Sequence, residues 1–267
     1  MSAQLRALRQ LLVERFPDAA PLADGDARRI APPVGTGLAT LDQVFPGGGL
    51  PRGKLTVWTP QGGATAVLRA ACQAAVAAGE RAAWIDAAHT AGPAWSEGPL
   101  LIRPEGRPRG EARDAPDDPR RDDPLRRLNA LRSTEVLLRS GGFALVVLAG
   151  APPQGTETVR LVRAAREGGS ALVVLTTGAS LASLRVTSRL LPHGYRWAHG
   201  PFADPAAPLE ATVQVRVRTL GWNRQAEVVL PVTPYELRLS LDPGLADRRG
   251  GDRRGDRHDG GRHGRDR

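Results

Sequence analysis

Residues 55–89, LTVWTPQGGATAVLRAACQAAVAAGERAAWIDAAH, decide the fold. Leu55 to Trp58 is a short apolar run, and Ala64 to Ala78 is an alanine-rich helical stretch that Gly79 breaks. Ala82 to Ile85 is a second apolar run that closes at Asp86. Two short apolar runs joined by a helix predict strands of a parallel sheet, because parallel strands need a long crossover whereas antiparallel ones need only a turn.

The alternation continues downstream. Leu125 to Ser140 reads as a helix whose apolar residues are Leu128, Leu131, Val136 and Leu138, and Gly141–Gly142 end it before the apolar strand Phe143 to Leu148. A helix over Thr156 to Glu167, a Gly168–Gly169 break and a strand over Ala171 to Leu175 follow. The pattern then changes. Ala211 to Arg218 and Gln225 to Val232 read as two β segments around Leu220-Gly221-Trp222-Asn223, a hairpin. The expected class is α/β, a mainly parallel sheet flanked by helices with a C-terminal antiparallel hairpin.

Outside this core the sequence is different in kind. Residues 1–16 place Leu5, Leu8, Leu12 and Phe16 at helical spacing, an amphipathic arm ending before Pro17, and residues 17–34 read as a Pro-, Asp- and Ala-rich linker. The core spans 35–242. Within it, residues 103–124 contain five prolines and no Leu, Ile, Val or aromatic residue, so they are expected to be a disordered insertion. Residues 243–267 form an Arg/Asp/Gly tail with the same expectation, apart from Leu245 and Ala246 at its start.

The 267 residues suffice for one sizeable α/β domain plus tails. A single cysteine, Cys72, excludes an internal disulfide, and no Cys/His cluster has metal-ligand spacing. The N-terminal stretch carries Arg6 and Arg9 within its apolar pattern, unlike a signal peptide, and no apolar run is long enough to span a bilayer. A cytoplasmic protein, with nucleoid association as the extension of that reading, is expected, and no membrane partner. The formal charge of +9 comes from 37 Lys+Arg against 28 Asp+Glu, and Lys54 is the only lysine. Such an arginine bias also follows from a GC-rich coding sequence, so it raises the expectation of an anionic partner only modestly.

A phosphate-binding loop needs glycines that turn backbone N–H groups toward phosphate, a lysine at the start of the next helix, and a Ser/Thr hydroxyl for Mg²⁺. TPQGGATAVLRAA has the strand-loop-helix context, but the lysine position falls on Thr65 and the hydroxyl position on Ala66. No other register supplies a lysine. Gly62 and Gly63 keep the capacity to hold an anion weakly through backbone N–H groups; the plainer reading is a tight strand-to-helix turn.

TGLATLDQVFPGGGLPRGKLTVW (residues 36–58), AAWIDAAH (82–89) and FALVVLA (143–149) together resemble RecA and its relatives, over roughly residues 35–235. The resemblance implies a RecA-like P-loop fold. It also implies that Ala88 stands where the family has its water-activating Glu, and Leu148 where it has the acidic residue linked to Mg²⁺. With Thr65 and Ala66, four hydrolytic positions are lost, so the expectation is a pseudo-ATPase with no catalytic residue, no metal and no cofactor. The two DNA-contacting loops of the family correspond to AGAPPQG and to TTGASLASLRVTSRLLPHG, the latter carrying Arg185 and Arg189.

A shortened RecA-like chain with an N-terminal helical arm is similar to the ImuA group, also described as SulA-like, of damage-induced mutagenesis. That similarity implies a non-hydrolysing adaptor or regulator in bacterial DNA repair, the SOS response or translesion synthesis. Its implied partners are proteins of the translesion or recombination machinery, a polymerase-like subunit or RecA, held through Leu5, Leu8, Leu12 and Phe16, with single-stranded DNA as a further partner. Expected nucleic-acid contacts are Arg185 and Arg189, with Arg248, Arg253 and Arg257 in the tail; a tail that only solvates the protein is the competing reading. Two rival functions stand beside the adaptor: a SulA-like inhibitor of cell division, and a recombinase or ATPase with an unconventional nucleotide site. Asp86 and His89 read as strand-end capping residues. His193, His199, Tyr195 and Trp197 read as loop residues, and Trp58, Trp84, Trp197 and Trp222 as core or half-core anchors.

Overall fold

The computed structural model describes residues 31–89, 98–106, 123–176, 182–199 and 205–232. It shows a mixed α/β architecture with one eight-stranded sheet. In chain order the elements are α1 (Ala39–Asp42), β1 (Leu55–Gln61), α2 (Ala64–Ala77), β2 (Ala82–Asp86), β3 (Leu100–Ile102) and α3 (Pro124–Arg139). They continue with β4 (Leu145–Ala149), α4 (Thr156–Gly168), β5 (Ala171–Leu175), β6 (Leu184–His199), β7 (Pro205–Thr219) and β8 (Trp222–Pro231). The strand order is β3-β2-β4-β5-β1-β6-β7-β8; all pairs from β3 to β6 are parallel, and β7 and β8 join antiparallel.

Helices cover both faces of the parallel part. On one face α2 lays Val67, Leu68, Ala71 and Cys72 over Trp58, Trp84, Val147 and Val173. On the other, α3 and α4 lay Leu131, Leu138, Leu161 and Ala164 over Leu55, Val57, Ile85, Val146 and Val174. The central strands are buried on both sides, which is why they read as continuous apolar runs without alternation. Burial pushes the Cys72 thiol up to about 12, so it stays protonated and behaves as a small apolar group.

Local chemistry sets the helix ends. Asp123 caps α3, its Oδ1 accepting from the backbone N–H of Leu125 at 2.9 Å and of Arg126 at 3.4 Å, while Pro124 occupies the first turn, where no N–H is needed. At the end of α2 the Glu80 N–H donates to the Ala75 carbonyl and the Gly79 N–H to that of Val76, with Gly79 at φ 79°. This closure needs a left-handed residue, and glycine supplies it without a Cβ penalty.

Several expectations need correction. The expected insertion at 103–124 has ordered edges: Pro104 is buried, the Glu105 carbonyl accepts from Asn129 Nδ2 at 3.0 Å, and Asp123–Pro124 begin α3. Residues 107–122 lie outside the described set. Val34, placed in the linker, is buried and bridges Leu50, since its backbone pairs with the bend leading into β1. β3 was not expected, because three residues are too few to show a period. Leu184–His199, read as a loop, is the sixteen-residue strand β6, and it carries Arg185, Arg189, His193, Tyr195 and Trp197. Leu184, Val186 and Ser188 point inward while Arg185, Thr187 and Arg189 do not, so the period-two signal was present. Trp197 is 44% exposed, not an anchor, whereas Trp58 and Trp84 are fully buried. Trp58 Nε1 donates to Ser188 Oγ at 2.9 Å, fastening β1 to β6 inside the core.

Candidate functional site

In open sheets with parallel strands, ligands bind beyond the carboxyl ends of the strands. β1 ends there, at the centre of the sheet between β5 and β6. The sequence suggested a strand ending at Trp58 and a loop from Thr59. Instead Thr59, Pro60 and Gln61 continue the strand and pair with Thr187, Ser188 and Arg189 of β6. Only Gly62 and Gly63 separate β1 from α2, at φ 108° and 74°. Two residues form a sharp turn, too short to wrap a phosphate with successive N–H groups.

The space above the turn is already occupied. A Cβ on Gly63 would lie 2.6 Å from Val213 Cγ2 of β7, and one on Gly62 would lie 3.3 Å from Leu190 Cγ of β6. Gly63 caps α2 with no side-chain acceptor, and the half-buried Thr65 and Ala66 follow in the first turn. Lys54 precedes β1 at the opposite end of this seven-residue strand, on the order of 20 Å away.

Beside the turn lies an apolar pocket of about 370 Å³, walled by Gly63, Ala66, Tyr195, Trp197, Val213 and Leu230 among others. Tyr195 and Trp197 stand at its rim with ring centroids 6.0 Å apart. Apart from the Tyr195 hydroxyl and the Trp197 indole N–H the side chains of its walls are apolar, so it is suited to sheltering an apolar group.

Of the remaining expected positions Arg189 lies beside the turn, in register with Gln61, and the other described ones stand apart from it. Ala88 follows β2, where Gly150 packs against it so closely that a Cβ on Gly150 would fall 2.5 Å from the Ala88 backbone nitrogen. Leu148 is fully buried in the layer under α3 and α4, opposite the α2 layer, with β5 between its strand and β1. Asp86 is fully buried at the end of β2, and the Ala87 N–H donates to Ala149 O at 3.0 Å. Arg185 and Arg189 lie exposed on β6, not in a loop, because their strand pairs on both sides. Leu5, Leu8, Leu12, Phe16, Arg248, Arg253 and Arg257 lie outside the described residues.

Sequence reasoning missed Val213, Leu190, Tyr195 and Trp197. Only the alternation of β6 and β7 hinted at them, and nothing local said that their inward faces meet Gly62 and Gly63. Among the described residues no three His, Cys, Asp or Glu side chains gather as metal ligands, and no helix is long and apolar enough to cross a membrane. In comparison with known proteins, no family model matches the chain and no curated protein matches it.

Proposed function

We propose that this chain is a non-hydrolysing RecA-like adaptor or regulator in bacterial DNA-damage processing, acting in damage-induced mutagenesis or translesion synthesis. The observation that carries the non-hydrolysing half is the β1–α2 turn. A strand-to-helix turn stands at the carboxyl end of the central strand, as a phosphate loop would, yet Val213 and Leu190 press on its two glycines. Phosphoryl transfer depends on positioning and charge stabilisation, and the turn and the first turn of α2 carry Gly62, Gly63, Thr65 and Ala66 with no lysine among them. The DNA-repair half rests on the order of RecA-like segments along the chain. In this role the protein works by holding partners, a polymerase-like subunit or RecA among them, in the bacterial cytoplasm.

The test is nucleotide turnover by the full-length protein with Mg²⁺ and ATP, with and without single-stranded DNA. Release of phosphate is expected to equal the buffer control in both cases. Turnover comparable to that of an active recombinase, abolished by Gly63→Trp, overturns the reading.

A further inference from the structure

The apolar pocket beside the β1–α2 turn is built by strand register. β6 and β7 run on past the start of α2, as far as His199 and Pro205. Across this part of the ribbon apolar side chains stand in rows. Leu190 lies opposite Val213 and Val213 opposite Val228; Tyr195 lies opposite Ala211 and Ala211 opposite Leu230; Trp197 lies opposite Pro208. The middle and inner members Val213, Val228, Ala211 and Leu230 are buried, but Leu190, Tyr195 and Trp197 are 36%, 40% and 44% exposed among the described residues. Large apolar groups gathered at one rim, not scattered singly, mark a surface that something covers.

Val232, at the end of β8, is itself a wall of this pocket, and its N–H donates to the Leu209 carbonyl at 2.9 Å. The chain continues from there as TPYELRLSLD, residues 233–242, which lie outside the described set. In that sequence Tyr235, Leu237, Leu239 and Leu241 alternate with Glu236, Arg238, Ser240 and Asp242. An extended backbone puts every second side chain on one side, so the alternation gives the segment one apolar edge. From Asp247 onward the chain has no apolar side chain to offer.

We propose that the pocket is the docking site of this chain's own segment 235–241, laid in extended with its apolar edge toward Val213 and Ala211. Reach favours it: three residues carry the chain from Val232 to Tyr235, about 10 Å at full extension, so the segment starts at the rim. Capacity agrees. A space of about 150 Å³ holds one benzene-sized group, so the pocket of about 370 Å³ takes roughly two such side chains. A short tether also holds the segment at an effective concentration on the order of millimolar, ahead of a free partner of the same chemistry. The N-terminal arm fits less well. Its leucines stand at helical spacing, and it joins the fold through Val34, which bridges Leu50 ahead of β1, at the end of that strand away from the pocket. A partner that presents an extended apolar segment must therefore displace 235–241 to bind here. The inference rests on register, exposure and sequence and stands whether or not the adaptor reading holds.

The experiment is paramagnetic relaxation in the full-length protein carrying Ser240→Cys with a nitroxide on the new thiol. The fully buried Cys72 does not compete for the label. The backbone signals of Ala66 and Tyr195 and the indole N–H signal of Trp197 are expected to be lost in the oxidised sample and to return on reduction of the nitroxide. The signal of Arg163, on α4 across the sheet, should persist. Adding Leu237→Asp with Leu239→Asp should restore the lost signals with the label still oxidised, whereas Glu236→Ala with Arg238→Ala should leave them lost. Labelled copies at natural isotope abundance, mixed with unlabelled isotope-enriched copies, should cause no loss. Signals that persist in the oxidised sample, or that stay lost in the aspartate variant, overturn the proposal. So does a loss seen equally in the mixed sample, which would make the occupant a second copy of the chain.

Discussion

Val213 of β7 presses its isopropyl group onto Gly63, so closely that a Cβ on Gly63 would lie 2.6 Å from Val213 Cγ2. The two residues are far apart in sequence, and their contact closes the place where a phosphate loop would open.

Gly63→Ala should therefore destabilise the protein by about 2–4 kcal/mol, combining overpacking with a left-handed backbone that alanine resists. Urea unfolding measures this, and Val213→Ala in the same chain should recover only the overpacking part, because φ at residue 63 is 74°. Restoring the missing groups with Thr65→Lys and Ala66→Thr should leave Mg·ATP binding undetectable by calorimetry. The turn would still be two glycines under Val213. Micromolar ATP binding by that variant would show that the side chains alone had been limiting.

The N-terminal arm should act separately from the core. Leu8→Asp with Leu12→Asp is expected to abolish partner binding or self-association while leaving the melting temperature nearly unchanged. Sedimentation and thermal unfolding check the two halves. A drop in melting temperature of more than about 5 °C would show that the arm is an integral layer.

Acid stability should depend weakly on one ion pair between α3 and α4. Arg127 Nη1 donates to Glu157 Oε1 at 3.1 Å, and this hydrogen bond holds the Glu157 carboxyl below its ordinary value of 4.5. A depressed carboxylate stabilises the fold fully above its unfolded value, and that contribution is lost as pH falls through the folded value. Glu157→Gln should cost on the order of 0.5 kcal/mol near neutral pH, small because both half-buried side chains keep contact with solvent. Below the ordinary carboxylate value of 4.5 the variant and wild type should converge; unfolding free energies that stay equally separated across that range would contradict the assignment.

The alternation of strands and helices was legible in residues 55–89 and 125–175 because burial of both sheet faces imposes apolar runs, and because glycines such as Gly79 end helices through local backbone geometry. Which groups the chain carries was legible too: its one lysine is Lys54, and Thr65, Ala66, Ala88 and Leu148 stand at the positions that the resemblance singles out. The length of the turn was not. Thr59 to Gln61 look like loop residues in isolation, and they become strand only because β6, more than a hundred residues later, offers them hydrogen-bond partners.

Pairing between distant segments also decided which residues seal the glycines and which arginines share a face. Period-two alternation shows that Val213 points to one side of its strand and Arg216 to the other, but not what either side meets. That depends on strand order and register, which are set by long-range backbone hydrogen bonds and core packing. The sequence by itself determined which groups this protein possesses. The tertiary structure alone decided that Val213 lies on Gly63 and that Arg185 stands opposite Arg218.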